Sequence, residues 1–213
     1  MTILDQLAQS LQQGQVDTIL DLVDRARKQG IEAQTILRQG LISGMDIIGE
    51  KFQAGEMFIP HMLLAARAMN AGIDVLKPEL AKSGAKPSGH VILGTVKGDH
   101  HDIGKNLVRI MLEGKGFSVT DLGINVEPEA FAEAVTEEVQ IVAMSALLST
   151  TAPFIGETIE TLEKHGLRKQ VKTIIGGGVV TQQMANDIGA DAYGQDAAIG
   201  AVKALELVDS LSA

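Results

Sequence analysis

Two adjacent histidines flanked by aspartates stand in the segment Lys97-Gly-Asp-His-His-Asp-Ile-Gly-Lys-Asn106. A lone histidine in a polar loop is ordinarily solvated, and loop aspartates ordinarily cap the next helix. Here the spacing allows more. A histidine that ligates a metal usually gives its second ring N–H to a carboxylate, which sets the tautomer and raises the basicity of the ligating nitrogen. Asp99 and His101 lie two positions apart, within reach of such a bond. Gly98 and Gly104 let the backbone approach a bulky ligand and open the next helix. One histidine and one carboxylate are too few protein ligands for a zinc site. A metal that brings its own equatorial ligands needs only one axial donor, which leaves a macrocycle such as a haem or a corrin. A haem would need c-type cysteines, absent from this chain, or an apolar helical pocket, which this loop is not.

The elements that must position this loop follow from hydrophobic periodicity. The apolar run 91–96 precedes it directly and has the length of a buried strand. Further strands are predicted at 117–122, 141–144 and 173–175, with a short fifth at 190–193. Helical stretches fall between them near 104–115, 128–137, 152–165 and 181–188, and the chain closes with a helix at about 196–211. Such alternation predicts a parallel sheet covered on both faces. Ligands of these sheets bind beyond the carboxyl ends of the strands, where the strand order reverses.

The first part of the chain has a different period. Leu7 and Leu11 mark a short helix that Gly14 ends, and Val16, Ile19, Leu20 and Val23 mark a second, running to Gly30. Leu37, Leu41, Met45, Ile48 and Phe52 form one face of a third, and Met62, Ala66, Met69, Ile73 and Leu76 one face of a fourth that opens at Pro60. Segment 79–89 is polar and small and contains Pro87, so it reads as a linker. The expected class is α + α/β: a four-helix bundle over 1–78, the linker, and a Rossmann/flavodoxin-like five-stranded parallel sheet over 90–213.

Composition narrows the function. Among 213 residues, 27 Asp+Glu outweigh 18 Lys+Arg, for a net charge of −9 with 3% aromatics. Such a chain offers neither a phosphate-seeking field nor a base-stacking surface, so nucleic acid is not an expected partner. Without cysteine there are no disulfides, zinc-thiolate sites or thiol nucleophiles. No apolar run is long enough for a membrane span and the start lacks signal-peptide character, so a cytoplasmic location is expected.

Asp99-x-His101-x-x-Gly104 resembles the Asp-x-His-x-x-Gly motif of base-off, His-on cobalamin-binding domains. Ser145-Ala-Leu147 is similar to the family's Ser-x-Leu motif after the third strand, and Gly176-Gly-Gly178 to its glycine-rich turn after the fourth. The helical part resembles the family's cap, including Gly55-Glu-Met-Phe-Ile-Pro60. The resemblance covers nearly the whole chain. It is nearest to the small corrinoid proteins of anaerobic methyltransferase systems and to the matching modules of cobalamin-dependent methionine synthase.

The resemblance implies a cobalamin or related cobamide with His101 as cobalt's lower axial ligand, in place of the cofactor's own base. Asp99 would hold the far ring nitrogen and Thr151 would complete the relay, where methionine synthase has serine. His100, Asp102, Gly98 and Gly104 belong to the binding loop. Ser145 and Leu147 would line the slot for the displaced nucleotide tail, Ser149 would contact the tail or the corrin, Gly176, Gly177 and Gly178 would leave it room, and the turn ending at Ala197 would be another tail contact. Phe58 and Met62 would cover cobalt's upper face. The implied function is methyl carriage between a substrate-specific methyltransferase and a second methyltransferase using tetrahydrofolate or a thiol, with a reductive activator as third partner. The chain would be a subunit rather than a complete enzyme. A cobalamin-sensing regulator and the small subunit of a B12-dependent mutase are the alternatives. The first usually appends a DNA-binding domain, which the sequence does not show, and the second lacks a helical cap.

Overall fold

The computed structural model describes residues 1–83 and 87–211. They divide into two compact units, Met1–Lys86 with Gly114–Gly116, and Pro87–Glu113 with Phe117–Ala213. Part of the expected linker, 84–86, and the final residues 212–213 lie outside the described residues.

The first unit is helical. Helix α1 (Ile3–Gln12) starts with a capping box in which Thr2 and Asp5 satisfy each other's backbone N–H. Helix α2 (Val16–Lys28) buries Ile19, Leu22, Val23 and Ala26. The third helical stretch contains α3 (Ala33–Thr35), a π-helical run over Ile36–Ile42, and α4 (Ser43–Gln53). Ile36 is buried there and Leu37 only partly so, a one-residue shift from the expected apolar face. A π-helical run changes the residue count per turn, a local event that a fixed helical period does not register. Helix α5 (Ile59–Lys82) carries Pro60 in its first turn.

The second unit is a five-stranded parallel sheet. Its strands are β1 (His90–Thr95), β2 (Ser118–Asp121), β3 (Ile141–Ser145), β4 (Lys172–Gly176) and β5 (Ala192–Gly194). Helices α6 (Ile103–Gly114), α7 (Pro128–Glu133), α8 (Pro153–Lys164), α9 (Gln182–Asp187) and α10 (Ala197–Leu211) connect or follow them. Helix α7 stops short of the expected 137. The β-branched pair Val135-Thr136 follows, and Val139 N–H closes a turn onto Thr136.

The strand order is β2-β1-β3-β4-β5, so the direction of winding reverses between β1 and β3. Register places Thr95 beside Ser145, Ser145 beside Gly176, and Gly176 beside Gly194. These four residues form one level row at the carboxyl edge of the sheet, and the loops carrying the sequence motifs leave from it. Beneath one face Ile92, Val142, Met144, Phe131, Ile155 and Ile159 form an aliphatic core with a single enclosed aromatic ring among them. Burying a side chain of this kind stabilises the fold by roughly 1.5–3 kcal/mol, which gives the loops a rigid platform.

Candidate functional site

The loop after β1 is tied down from both sides of the switch point. Thr95, at the end of β1, is buried and donates its hydroxyl hydrogen to the His101 carbonyl at 2.9 Å. Asp99 is 0% exposed although its neighbours His100, His101 and Asp102 are exposed. An ionised carboxylate survives such burial only when its oxygens are saturated by donors.

Asp99 meets that condition. Its Oδ1 accepts from His101 Nδ1 at 2.7 Å and from the His101 backbone N–H at 3.1 Å. Its Oδ2 accepts from Thr151 Oγ1 at 2.7 Å and from the backbone N–H groups of Leu147 and Leu148 at 2.8 and 3.3 Å. Burial pushes the Asp99 carboxyl up. The hydrogen bonds from Thr151, Leu147 and His101 together outweigh it and hold the group well below the usual carboxylate range.

Because ionised Asp99 can only accept, the shared hydrogen sits on Nδ1, and in the neutral imidazole this leaves Nε2 as the electron-pair donor. The His101 side chain is 50% exposed, so that nitrogen remains accessible. A buried carboxylate behind and an accessible ring in front is the arrangement common among metal-ligating histidines. Among the described residues no group of three or more His, Cys, Asp or Glu side chains is placed to hold a metal ion by itself. One histidine with an orienting carboxylate offers a single donor, a set that suits a metal whose other positions are already filled.

The surroundings fit a large, mostly apolar ring. Leu147 and Leu148 after β3 are each 41% exposed, Ile103 after the His loop is 67%, and Ile124 after β2 is 42%. All four sit on loops or a helix start at the carboxyl edge. Gly104 adds a second sign. A Cβ there would meet nothing within 4 Å, and its backbone is ordinary helix, so the folded chain itself does not require glycine.

The other expected site residues fall at the same edge. Gly98 has φ +73°, a turn conformation that favours glycine. Asp102 accepts from Asn106 one helical turn on. Ser145 is part-buried in the level row, and its carbonyl accepts from Val96 N–H. Ser149 is exposed on the loop after β3. Ala197 is buried at the start of α10, where Asp196 caps the Ile199 N–H. Gly177 differs from the sequence reading, which gave its small size to a ligand. With φ +123°, a Cβ at Gly177 would stand 1.9 Å from the Ala146 carbonyl oxygen, so the chain's own packing already demands glycine. At Gly176 a Cβ would stand 3.0 Å from the Gly194 oxygen, a tight backbone contact, whereas at Gly178 it would meet only the tip of the exposed Leu147 side chain, which can move aside. In the helical unit Met62 is fully buried and Phe58 is 62% exposed, so Phe58 alone of the two presents surface.

Three supporting residues escape sequence reasoning. Thr95 is hidden in an apolar strand pattern. Lys105 is nearly enclosed, with Nζ 2.5 Å from Asp121 Oδ2 and 2.9 Å from Asn106 Oδ1, which anchors the first turn of α6 to the end of β2. Asn125 reaches the His loop from the β2 side. Only Asn125 carries a sequence signal, since Gly123-Ile-Asn125 after a strand is a turn-forming pattern.

This fold and site define a cofactor-binding protein of the B12 class. Residues 89–203 match the model of the B12 binding domain family, residues 3–77 match a second B12 binding domain model, and the chain belongs to this family. It is 46% identical to a trimethylamine corrinoid protein of Methanosarcina barkeri, over 86% of this chain and 87% of that one. It is 39% identical to dimethylamine corrinoid protein 2 of Methanosarcina mazei, over 97% of each. Among solved structures it resembles a cobalamin-binding protein from Desulfitobacterium hafniense, with TM-score 0.81, 34% identity, and coverage of 96% of this chain and 98% of that one. It also resembles the methanol:cobalamin methyltransferase complex of Methanosarcina barkeri, with TM-score 0.85 and 28% identity over 97% of this chain and 80% of that one.

Proposed function

We propose that this chain is a methyl-carrying corrinoid protein that takes its cofactor base-off with His101 as the lower axial ligand. The observation that carries the reading is the buried Asp99 carboxylate 2.7 Å from His101 Nδ1, behind a half-exposed imidazole at the sheet's switch point. When bound, a corrinoid supplies a cobalt centre that accepts a methyl group from one substrate and gives it to another.

The protein's share is binding, orientation and proton holding. Asp99 and Thr151 keep the Nδ1 hydrogen in place, so Nε2 is preset as an electron-pair donor. The Asp99 carboxyl, held low by its hydrogen bonds, remains an acceptor for His101 Nδ1 and so keeps the ring oriented. The exposed side chains of Leu147, Leu148, Ile103 and Ile124 would exclude water from the periphery of a bound ring. Ser145, Ser149, the turn Gly176 to Gly178 and the start of α10 at Ala197 would border the displaced tail. By the family resemblance residues 1–78 would serve as the cap, and exposed Phe58 is their candidate cofactor contact.

The trimethylamine and dimethylamine relatives favour a methylated amine as methyl donor. A substrate-specific methyltransferase loads the carrier, a second unloads it to tetrahydrofolate or a thiol, and a reductive activator rescues oxidised cobalt. The test is to load the full chain with hydroxocobalamin, reduce it, and supply methylamines or methanol with their methyltransferases while following the corrin absorbance. Methylation that needs both a donor and its methyltransferase supports the reading. Failure to retain cobalamin, or retention with no methylation by any donor, contradicts it.

A further inference from the structure

We propose that Asn125 is a positioning residue for the His101 loop, an inference that rests on the corrinoid reading above. Asn125 is the only non-glycine among the described residues with a positive φ, at +52°. Asn tolerates that region better than other side chains, but the conformation still stores strain and persists only where the surroundings fix it. Here the strained residue sits on the exposed turn after β2, where a glycine would relieve it at no steric cost.

The contacts account for the side chain. Asn125 Oδ1 accepts from Gly98 N–H at 2.7 Å, and Asn125 N–H donates to the Asp99 carbonyl at 2.9 Å. One residue thus holds both ends of the Gly98-Asp99 step, its side chain at one and its backbone at the other. Thr95 Oγ1 on the His101 carbonyl and Asp99 N–H on the Val96 carbonyl complete the frame. Thr151 fixes where the Asp99 carboxylate points. Asn125 fixes where the Asp99 backbone stands, and with it the His101 ring two residues on. Gly98 is exposed, so its amide would exchange rapidly with water without this acceptor.

Three variants separate the backbone from the side chain. Asn125→Gly keeps the positive φ and removes the acceptor. Asn125→Asp keeps both the acceptor and the tolerance for that φ. Asn125→Ala loses both. In the cofactor-free protein, hydrogen exchange of the Gly98 amide should quicken roughly fivefold to tenfold in Asn125→Gly, as loss of one net hydrogen bond implies, and return toward wild type in Asn125→Asp. In protein loaded with cobalamin and reduced to the Co(II) state, the His-on fraction should fall in Asn125→Gly and recover in Asn125→Asp. Gly98 exchange and His-on fraction both unchanged in Asn125→Gly, with wild type His-on, would overturn this role while leaving the corrinoid reading intact. A wild-type protein that never becomes His-on would instead sink the corrinoid reading itself.

Discussion

Thr151 donates its hydroxyl hydrogen to Asp99 Oδ2 at 2.7 Å, joining the loops after β1 and β3 across 52 positions of chain. Both groups are buried, and the same hydroxyl lies 3.0 Å from the Leu148 carbonyl. Removing it leaves an ionised carboxylate short of one donor. Thr151→Val should therefore lower stability by about 1.5–3 kcal/mol, whereas Thr151→Ser should stay within about 1 kcal/mol of wild type. Urea denaturation of the cofactor-free protein measures both. Equal losses in the two variants would place the effect in the methyl group and not in the hydroxyl.

The Asp99 environment also sets a pH dependence. Its folded-state pKa is depressed, so its contribution to stability is present above the ordinary carboxylate pKa of about 3.9 and is lost as pH falls below that toward the folded value. Asp121 acts in the same sense: burial pushes its carboxyl up, but Lys105 and the Gly123 N–H outweigh it. Glu113 acts oppositely, because burial raises its carboxyl and its ionisation costs stability at neutral pH. Acidification from pH ~6 to pH ~3 should destabilise wild type more than Asp99→Asn, which lacks the titrating group. Parallel stability curves for the two proteins would show that Asp99 is not the group responsible.

Two glycines at the carboxyl edge should behave in opposite ways. Gly177→Ala forces a Cβ into the Ala146 carbonyl at a positive φ, so it should destabilise the cofactor-free fold by more than about 2 kcal/mol. Gly104→Ala enters open space on a helix, so it should leave the fold unchanged or add up to about 1 kcal/mol. The same Gly104→Ala should retain cobalamin poorly, because its methyl group projects into the space proposed for the corrin. Melting curves and cofactor retained after gel filtration decide both points. Full retention by Gly104→Ala would remove that glycine from the binding surface.

Much of this site was legible in the sequence because its signals are local. Asp99 and His101 are two positions apart, and the apolar run before them marks a strand, so a loop at a sheet edge followed directly. The row Thr95, Ser145, Gly176 and Gly194 was not legible, because register is a relation between strands far apart in sequence. Gly177 shows the same limit. A glycine-rich turn signals close approach, but that the approaching group is the Ala146 carbonyl depends on how the loops after β3 and β4 meet. The π-helical run over Ile36–Ile42 moved the buried face by one residue at its start, because periodicity assumes one turn length throughout. Thr95 and Lys105 support the loop through contacts with no local pattern.

The exposed apolar rim yields a further prediction. Leu147→Asp places a charge on a side chain that is 41% exposed, so the cofactor-free fold should change by less than about 1 kcal/mol. Its affinity for cobalamin should drop roughly tenfold or more, since a carboxylate would be desolvated against the ring. Titration followed by corrin absorbance measures this, and unchanged affinity would place the ring elsewhere.

The central claim is that the nitrogen on cobalt comes from His101 and not from the cofactor's own base or from His100. Electron paramagnetic resonance of the Co(II) state tests it directly, because one axial nitrogen splits each cobalt line by its nuclear spin. Protein grown on 15N and loaded with unlabelled cobalamin should show each line split into a doublet instead of the triplet of the unlabelled protein. The doublet should persist in His100→Ala and vanish in His101→Ala. A triplet that survives 15N labelling, or a doublet lost in His100→Ala and kept in His101→Ala, would contradict the account.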